Sequence, residues 1–186
     1  MARIFTCGFE LNSTTDGVEF ISVVTGSPTI QTTVVRSGTY ALQINPSAAA
    51  QSLAMVFNPA ATLKTVFHRF YYRAAVHPAS ASLVFTILDV SNSTSLMRLR
   101  GTGSGLRALN SANVQVGSDF ALNTNQWYRI DIKLFSNAST GTIDVLVDGN
   151  SVVSVTGQNT GGQDAGFMLF GSAAALTHNY YIDDIA

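Results

Sequence analysis

The sequence predicts an all-β protein that folds as a two-sheet antiparallel jelly-roll β-sandwich. Short runs in which apolar and polar residues alternate recur along the chain, whereas the 3.6-residue repeat of an amphipathic helix is nearly absent. The pair Asp148-Gly149 between two such runs is a strong hairpin signal, because both residues accept the positive φ angles of a tight turn. A hydrophobic fraction of 46% supplies the apolar surface that a sizeable core requires.

The alternating runs predict fifteen strands along the chain. They lie near 3–10, 18–24, 29–35, 39–44, 52–57, 64–76, 82–90, 95–100, 105–109, 113–116, 126–135, 141–148, 151–155, 165–170 and 178–185. The glycine-rich segment 101–105 is a predicted turn, because it lacks the Walker lysine and the following helix of a phosphate loop. With 186 residues and no repeat, low-complexity linker or charge block, the chain fits one domain, 1–186.

Three of the predicted strands carry an apolar side and a side rich in basic and aromatic residues. In the strand near 64–76, Phe70, Tyr72, Ala74 and Val76 share the apolar side, which we expect to face the core. Six of the ten basic residues lie on the opposite sides of the strands near 64–76, 95–100 and 126–135: Arg69, Arg73, Arg98, Arg100, Arg129 and Lys133. The alternation therefore predicts that these six residues share one face.

Such a face has three alternative roles. The arginines can pair internally with Asp89, Asp131 and Asp144, which contributes little stability. They can form a protein interface, since Arg, Tyr and Trp dominate interface hot spots. They can also bind the carboxylates of acidic sugars while an aromatic ring stacks on the sugar. For the two recognition roles the candidate binding residues are Arg69, Tyr71, Arg73, Arg98, Arg100 and Arg129.

Charge and hydropathy argue against nucleic-acid and membrane partners. Charged residues make up 11% of the chain and the net charge is −1, so the protein lacks the positive field that nucleic-acid binding requires. No apolar run approaches the length of about 18 residues that a membrane-spanning helix needs. The first residues lack the apolar segment and cleavage site of a secretory signal, so we expect synthesis in the cytoplasm without export by a signal peptide.

Catalytic constellations are missing from the sequence, and we predict that the chain is not an enzyme. Glycoside hydrolysis requires two carboxylates that flank the scissile bond, yet Glu10 and Glu19 belong to no closely spaced acidic run. The single cysteine, Cys7, excludes an intrachain disulfide and is predicted to be a small core residue. The histidines are too dispersed to present two imidazoles to a metal from one strand: His68, His77 and His178.

Five short segments are informative as an ordered set. They are Gly8–Glu10, Arg36–Leu42, Trp127–Ile132, Thr142–Gly149 and Tyr180–Ile185. In this order the chain resembles the concanavalin A-like lectin and laminin-G-like jelly-roll superfamily, including its carbohydrate-binding modules and phage particle proteins. The resemblance implies two antiparallel sheets, one of them concave, with the first and last strands adjacent. Because the superfamily contains lectins, hydrolases and inert structural domains, the fold alone does not decide the function.

The resemblance to carbohydrate-binding modules also implies a candidate structural Ca²⁺ site. Glu10, Asp183 or Asp184, and a nearby backbone carbonyl would converge on the ion, which takes about 6–8 oxygen ligands. The metal would clamp the termini and take no part in catalysis. The alternative is that Asp183 and Asp184 cap the last strand or pair with Arg36 or Arg3.

These observations favour a non-enzymatic structural or binding protein of a bacteriophage virion, such as a capsid decoration protein or a fibre-associated jelly roll. The low charge, the predicted surface rich in Ser, Thr, Ala and Asn, the missing signal peptide and the resemblance to phage versions of the fold support it. Its partners would be the major capsid or fibre protein and further copies of itself in a homo-oligomer. The alternative is a carbohydrate-binding module of a lectin-like or glycosidase-associated protein, which would be extracellular and bind a glycan.

Overall fold

The computed structural model describes residues 6–15, 21–47, 49–57, 63–79, 82–172 and 176–186. Within these residues fourteen strands form two antiparallel sheets of seven strands each, and there is no helix. This architecture confirms the predicted all-β jelly-roll sandwich. The same residues accordingly hold no helix of the length and apolarity that crossing a membrane requires.

Sheet I and sheet II are named here with their strands in spatial order. Sheet I comprises β1 (Ile21–Thr25), β4 (Gln51–Val56), β13 (Ala165–Ser172), β6 (Leu83–Asp89), β7 (Ser95–Gly101), β8 (Gly105–Asn110) and β9 (Gln115–Ala121). Sheet II comprises β12 (Asn150–Gln158), β11 (Gly141–Val147), β10 (Tyr128–Phe135), β5 (Thr65–Val76), β14 (Asn179–Asp183), β3 (Ala41–Ile44) and β2 (Thr29–Gln31). Hydrogen-bonded neighbours within each sheet run antiparallel.

Fourteen of the predicted strands overlap strands of the structure, and the first predicted strand, near 3–10, differs. Residues 1–5 lie outside the described residues, and of the remainder Cys7 forms an isolated antiparallel bridge with Ile185. Phe9 has a φ angle of 62°, so the backbone is not extended there and strand pairing cannot continue. The bridge brings the first and last segments together, as the resemblance implied, and Cys7 is buried, as predicted.

The core lies between the sheets and is tied together by three phenylalanine rings. Phe70 enters from β5 of sheet II, and Phe85 and Phe170 enter from β6 and β13 of sheet I. The ring centroids are 4.9 Å, 5.2 Å and 5.1 Å apart around this triangle, within the range of favourable aromatic pairs. Tyr72 is also buried, as predicted. Val76 is 47% exposed because it is the last residue of β5, so its prediction as a core residue is wrong.

Both predicted turns are present. Asp148 and Gly149 have φ angles of 51° and 87° and connect β11 to β12, which is the geometry of a tight type I′ hairpin. Gly103, with a φ angle of 85°, lies in the short connection between β7 and β8. These turns fix which strands are neighbours at two places in the fold.

Candidate functional site

The outer face of sheet II carries much of the predicted concentration of basic and aromatic side chains. We define the arginine–aromatic face by Phe67, Arg69, Tyr71 and Arg73 of β5 and by Arg129 and Lys133 of β10. These residues alternate along their strands with buried side chains, which places them on the side of the sheet away from the core. A pocket with a volume of about 1070 Å³ opens beside Phe67, Arg69 and Arg129.

Most cations of the arginine–aromatic face are already paired with carboxylates. Asp131 lies between two arginines: its Oδ1 accepts a hydrogen bond from Arg69 Nε at 2.5 Å and its Oδ2 accepts one from Arg129 Nε at 2.8 Å. Lys133 Nζ lies 3.9 Å from Asp144 Oδ2. Internal pairing, one of the three alternatives, is therefore confirmed for these three cations, and a ligand would have to displace an existing partner.

The aromatic rings of this face are also partly occupied. The Arg36 guanidinium lies 3.9 Å from the centroid of the Tyr71 ring and donates a hydrogen bond to the Tyr71 hydroxyl at 3.2 Å. Arg73 lies 5.7 Å from the ring centroid of Tyr181. Phe67 is 46% exposed and is the one large apolar side chain of the face with an open surface. A sugar ring would have little uncovered aromatic surface on which to stack.

The prediction that all six basic residues share one face is wrong for Arg98 and Arg100. Both lie on β7, which belongs to sheet I, on the opposite side of the sandwich from β5 and β10. Alternation assigns each side chain to the inside or the outside, but it does not assign a strand to a sheet. The two arginines therefore face outward on a second surface.

We call that second surface, the outer face of sheet I, the recessed face. One row of side chains runs across all seven strands in register, from Val23 at one edge to Gln115 at the other, through Ala54, Leu169, Thr86, Arg98 and Leu109. Val23 is 47% exposed and Gln115 is also exposed, whereas Ala54 and Thr86 are each only 2% exposed. The floor of the face is therefore shielded by its neighbours, and the edges are open.

Two arginines of the recessed face, Arg98 and Arg100, lack acidic partners within the described residues. Among the described residues, neither Arg98 nor Arg100 forms an ion pair, and Arg100 lies directly across from Arg107 of β8. Like charges in that position repel. Arg98 Nη1 donates only to the backbone carbonyls of Asn110 and Ser111, both at 3.3 Å. Burial and the charge of Arg100 lower the pKa of Arg98, so its cationic form is poorly stabilised.

Glu10 holds one end of the loop between β2 and β3. Its carboxylate accepts hydrogen bonds from the backbone N–H of Thr39, at 3.0 and 3.2 Å, and of Tyr40, at 3.3 Å. Gly38 makes this approach possible: it has a φ angle of 67°, and a Cβ at this position would overlap the Glu10 carboxylate. The short segment before the first strand is thereby anchored to a loop 29 residues further along the chain.

Asp183 holds the other end of the same loop. Its Oδ2 accepts hydrogen bonds from the backbone N–H of Arg36 at 2.9 Å and of Ser37 at 3.3 Å. The neighbouring Asp184 pairs with Arg36 at 2.8 Å, which confirms the alternative of a strand-end ion pair. Asp183 is fully buried, and burial raises its pKa to about 6 despite these hydrogen bonds.

The candidate calcium ligands Glu10 and Asp183 do not fit a metal site in this arrangement. Each carboxylate is directed at backbone N–H donors, whose positive ends would repel a cation. The described residues also hold no group of three or more His, Cys, Asp or Glu side chains with the geometry to bind a metal ion. Both carboxylates hold the loop between β2 and β3 in place by accepting hydrogen bonds from its backbone N–H groups.

The described histidines have structural surroundings. His68 is buried against the rings of Phe57 and Phe85, and burial lowers its pKa to about 4. His178 is buried beside Tyr180 and burial likewise lowers its pKa to about 4. Neither imidazole reaches an open surface where it could act as a general base.

Two residues of these sites were missed in the sequence. Thr86 is the one polar residue inside the apolar run Val84–Leu88, and a polar residue in a predicted buried strand could have been recognised in the sequence as unusual. Its Oγ1 is buried without a hydrogen-bond partner within the described structure. Gly38 stands beside Ser37 in a loop, where a glycine is unremarkable; no sequence signal distinguishes it from other turn glycines.

No family model matches the sequence, and no curated protein matches it. Solved structures do match in fold. A carbohydrate esterase from the Shiga toxin-encoding bacteriophage phi24B aligns with a TM-score of 0.69 and 15% identity, over 100% of this chain and 97% of that chain. Domain 4 of AbnA, an extracellular GH43 arabinanase from Geobacillus stearothermophilus solved with arabinotriose, aligns with a TM-score of 0.62 and 13% identity, over 98% and 89%.

A sialidase aligns with a TM-score of 0.63 and 14% identity over 96% of this chain but only 18% of its own length, so this chain corresponds to a small part of that enzyme. At these identities the likeness shows the fold alone. The neighbours are jelly-roll-like β-sandwich domains, among them a sugar-bound one, which supports the coarser part of the predicted resemblance. Membership in the concanavalin A-like superfamily stays a prediction.

Proposed function

We propose that this chain is a non-enzymatic binding domain of a bacteriophage particle, such as a capsid decoration or fibre-associated domain. One observation carries the proposal: the two sandwich faces present recognition side chains, while the described candidates for acid–base chemistry are committed to the fold. Asp131 is held by two arginines, and Asp183 is buried under a loop that it anchors. The imidazoles of His68 and His178 are likewise buried.

The alignment with a bacteriophage protein supports the phage part of the proposal. Its chain and this one align over nearly their whole lengths, so the two share one complete sandwich and not a fragment of it. That protein is described as a carbohydrate esterase, and ester hydrolysis needs a nucleophile with an adjacent base. The described histidines that could serve as such a base are buried, or, for His77, bound to the Leu122 carbonyl at 2.7 Å. Binding without catalysis fits these side chains better.

In this proposal the partners are virion proteins, either the major capsid or the fibre protein, and the chain functions in the virion after synthesis in the host cytoplasm. Arg73 and Phe67 are the members of the arginine–aromatic face best suited to a protein contact. Arg73 has no carboxylate partner within the described residues, and Phe67 is 46% exposed. Arginine and phenylalanine are both enriched in protein interfaces.

The experiment uses particles of the phage that encodes this chain, purified on a density gradient. Mass spectrometry should detect the chain in a fixed ratio to the major capsid protein, and gold-labelled antibody should mark the particle surface. Particles from a strain that lacks the gene are the matched control for antibody specificity. Gradient-purified particles without the chain would refute the proposal.

A carbohydrate-binding module is the second candidate, favoured by the alignment with a domain solved in complex with arabinotriose. Glycan-array binding by the purified chain, lost on Tyr71→Ala or Arg98→Ala, would support it. Because Tyr71 and Arg98 lie on opposite sheets, the two variants also report which face is used. Absence of any glycan signal, together with presence in particles, favours the first candidate.

A further inference from the structure

The recessed face holds positive charge that has no counterion in the part of the chain that the structure describes. Arg98 and Arg100 are two residues apart on β7, so their side chains leave the strand on the same side, about 7 Å apart along it. Of the described basic residues, six form ion pairs, and Arg98 and Arg100 are not among them. Arg107, which faces Arg100 across the strand pair, is paired with Asp119 at 2.7 Å.

Unused hydrogen-bonding atoms lie in the same place. Thr86 is directly across from Arg98 in the register of β6 and β7, and its buried Oγ1 has no partner within the described structure. The buried Nε of Arg100 is likewise without a partner there. Leaving such buried groups unsatisfied costs free energy. A ligand that carries negative charge would relieve the electrostatic cost at the two arginines.

We propose that the recessed face binds a polysaccharide that bears carboxylate groups, with one carboxylate held between Arg98 and Arg100. This inference rests on the proposed binding function and adds its ligand class. The planar guanidinium fork matches a carboxylate, and two forks at this spacing can hold both of its oxygens.

The position of the site favours a saccharide over a peptide. A peptide that binds in an extended conformation commonly adds a strand to a sheet edge, where its backbone finds hydrogen bonds. Thr86 and Arg98 lie on β6 and β7 in the interior of sheet I, with a paired strand on each side. A ligand there must be recognised by side chains alone. The row of side chains across sheet I spans about 29 Å, at about 4.8 Å between strands, which accommodates several sugar units of a linear chain.

The test measures binding of the purified chain to polygalacturonate and to alginate, by affinity gel electrophoresis and by calorimetry, with neutral arabinan as the uncharged polymer. We expect retention by the acidic polymers and a loss of affinity of about tenfold or more in Arg98→Met and in Arg100→Met, since each removes a charge-assisted contact. Arg98→Lys, which keeps the charge but not the fork, should show an intermediate loss.

Lys64→Met is the matched control. Lys64 carries the same charge, is paired with Asp164 at 3.4 Å and precedes β5 of sheet II. Its affinity for the polymers should stay within about twofold of wild type. Circular dichroism and melting temperature check that each variant is folded. If Arg98→Met does not fold, Arg98→Lys still tests the inference.

Several results would overturn the inference. The first is that the wild type binds neither acidic polymer. The second is that Lys64→Met loses as much affinity as Arg98→Met. The third is that only an Arg69→Met variant, on the other sheet, loses affinity. Binding to poly-L-glutamate equal to that of the acidic polysaccharides would show that negative charge alone is recognised, without selectivity for a saccharide. Particle association is measured separately. If the chain is present in virions but does not bind acidic polysaccharides, only this inference is refuted. A chain that binds them but is absent from particles refutes the particle context alone.

Discussion

Replacing His68 with leucine should change how the stability of the protein depends on pH. His68 is only 6% exposed, lies with its ring 4.6 Å from Phe57 and 6.0 Å from Phe85, and has no hydrogen-bond partner for Nε2 among the described residues. Burial lowers its pKa from the ordinary 6.5 to about 4. The folded protein therefore holds a neutral imidazole at pH values where the unfolded chain is protonated.

The sign of the effect follows from proton binding. Below pH 6.5 the unfolded chain takes up a proton at His68 that the folded protein binds only near pH 4, so stability falls as the pH is lowered through this window. For these two pKa values the loss between pH 7 and pH 5 is about 2 kcal/mol from His68 alone. Leucine has a similar volume and no titratable group, so His68→Leu should lack that loss. At pH 7 it should be within about 1 kcal/mol of wild type, because the unsatisfied nitrogen is removed with the ring.

Urea unfolding followed by circular dichroism and by the fluorescence of Trp127, the single tryptophan, measures the effect at pH 7 and pH 5. The free-energy difference between variant and wild type should shift by about 2 kcal/mol in favour of the variant at the lower pH. His178→Leu should shift it in the same direction, because burial also lowers the pKa of His178 to about 4. Parallel pH profiles for wild type and His68→Leu would refute the assignment of a buried, neutral imidazole.

Three further outcomes follow from the packing and from the clamped loop. Phe70→Ala, which removes one ring of the triangle between the sheets, should cost about 3–5 kcal/mol in urea unfolding, whereas Phe67→Ala on the exposed side of the same strand should cost less than about 1 kcal/mol. Gly38→Ala should lower the free energy of unfolding by at least about 1–3 kcal/mol, because the positive φ angle and the Glu10 carboxylate both oppose a Cβ; an unchanged melting temperature would contradict this. Excess EDTA and added calcium should give the same melting temperature, since the carboxylates of Glu10 and Asp183 face amides; stabilisation by calcium would restore the metal site.

The strands and the core could be predicted from the sequence because period-two alternation is a local property. In β5 the buried side chains Phe70 and Tyr72 alternate with Arg69 and Tyr71 as the pattern requires. The rule fails where the chain leaves the regular strand, and also in β6, whose two sides are both buried. Val76 is exposed at the end of β5. Alternation also does not predict the order of strands in the sheets, because that order is a long-range property.

The candidate site could be predicted only in part, for that reason. Arg69 and Arg98 look alike in their strands, yet they lie on different sheets because β5 pairs with β10 and β14 whereas β7 pairs with β6 and β8. These pairings depend on contacts between distant segments, such as Leu169 with Thr86. The loop clamp joins residues even further apart, since Asp183 and Arg36 are separated by 147 positions. No local pattern contains that information.

Strand register explains why two outwardly similar groups of arginines differ in what they can do. In sheet II the register places an acid directly across from a cation twice: Asp131 faces Arg69, and Asp144 faces Lys133. In sheet I the positions across from Arg98 hold Thr86 and, on the other side, a leucine, while Arg100 faces a second arginine. Cross-strand partners are the closest neighbours that a side chain has on a sheet face, so they decide its charge balance. Arg69 and Arg129 of sheet II therefore have an acidic partner on their own face, whereas Arg98 and Arg100 of sheet I have none within the described residues.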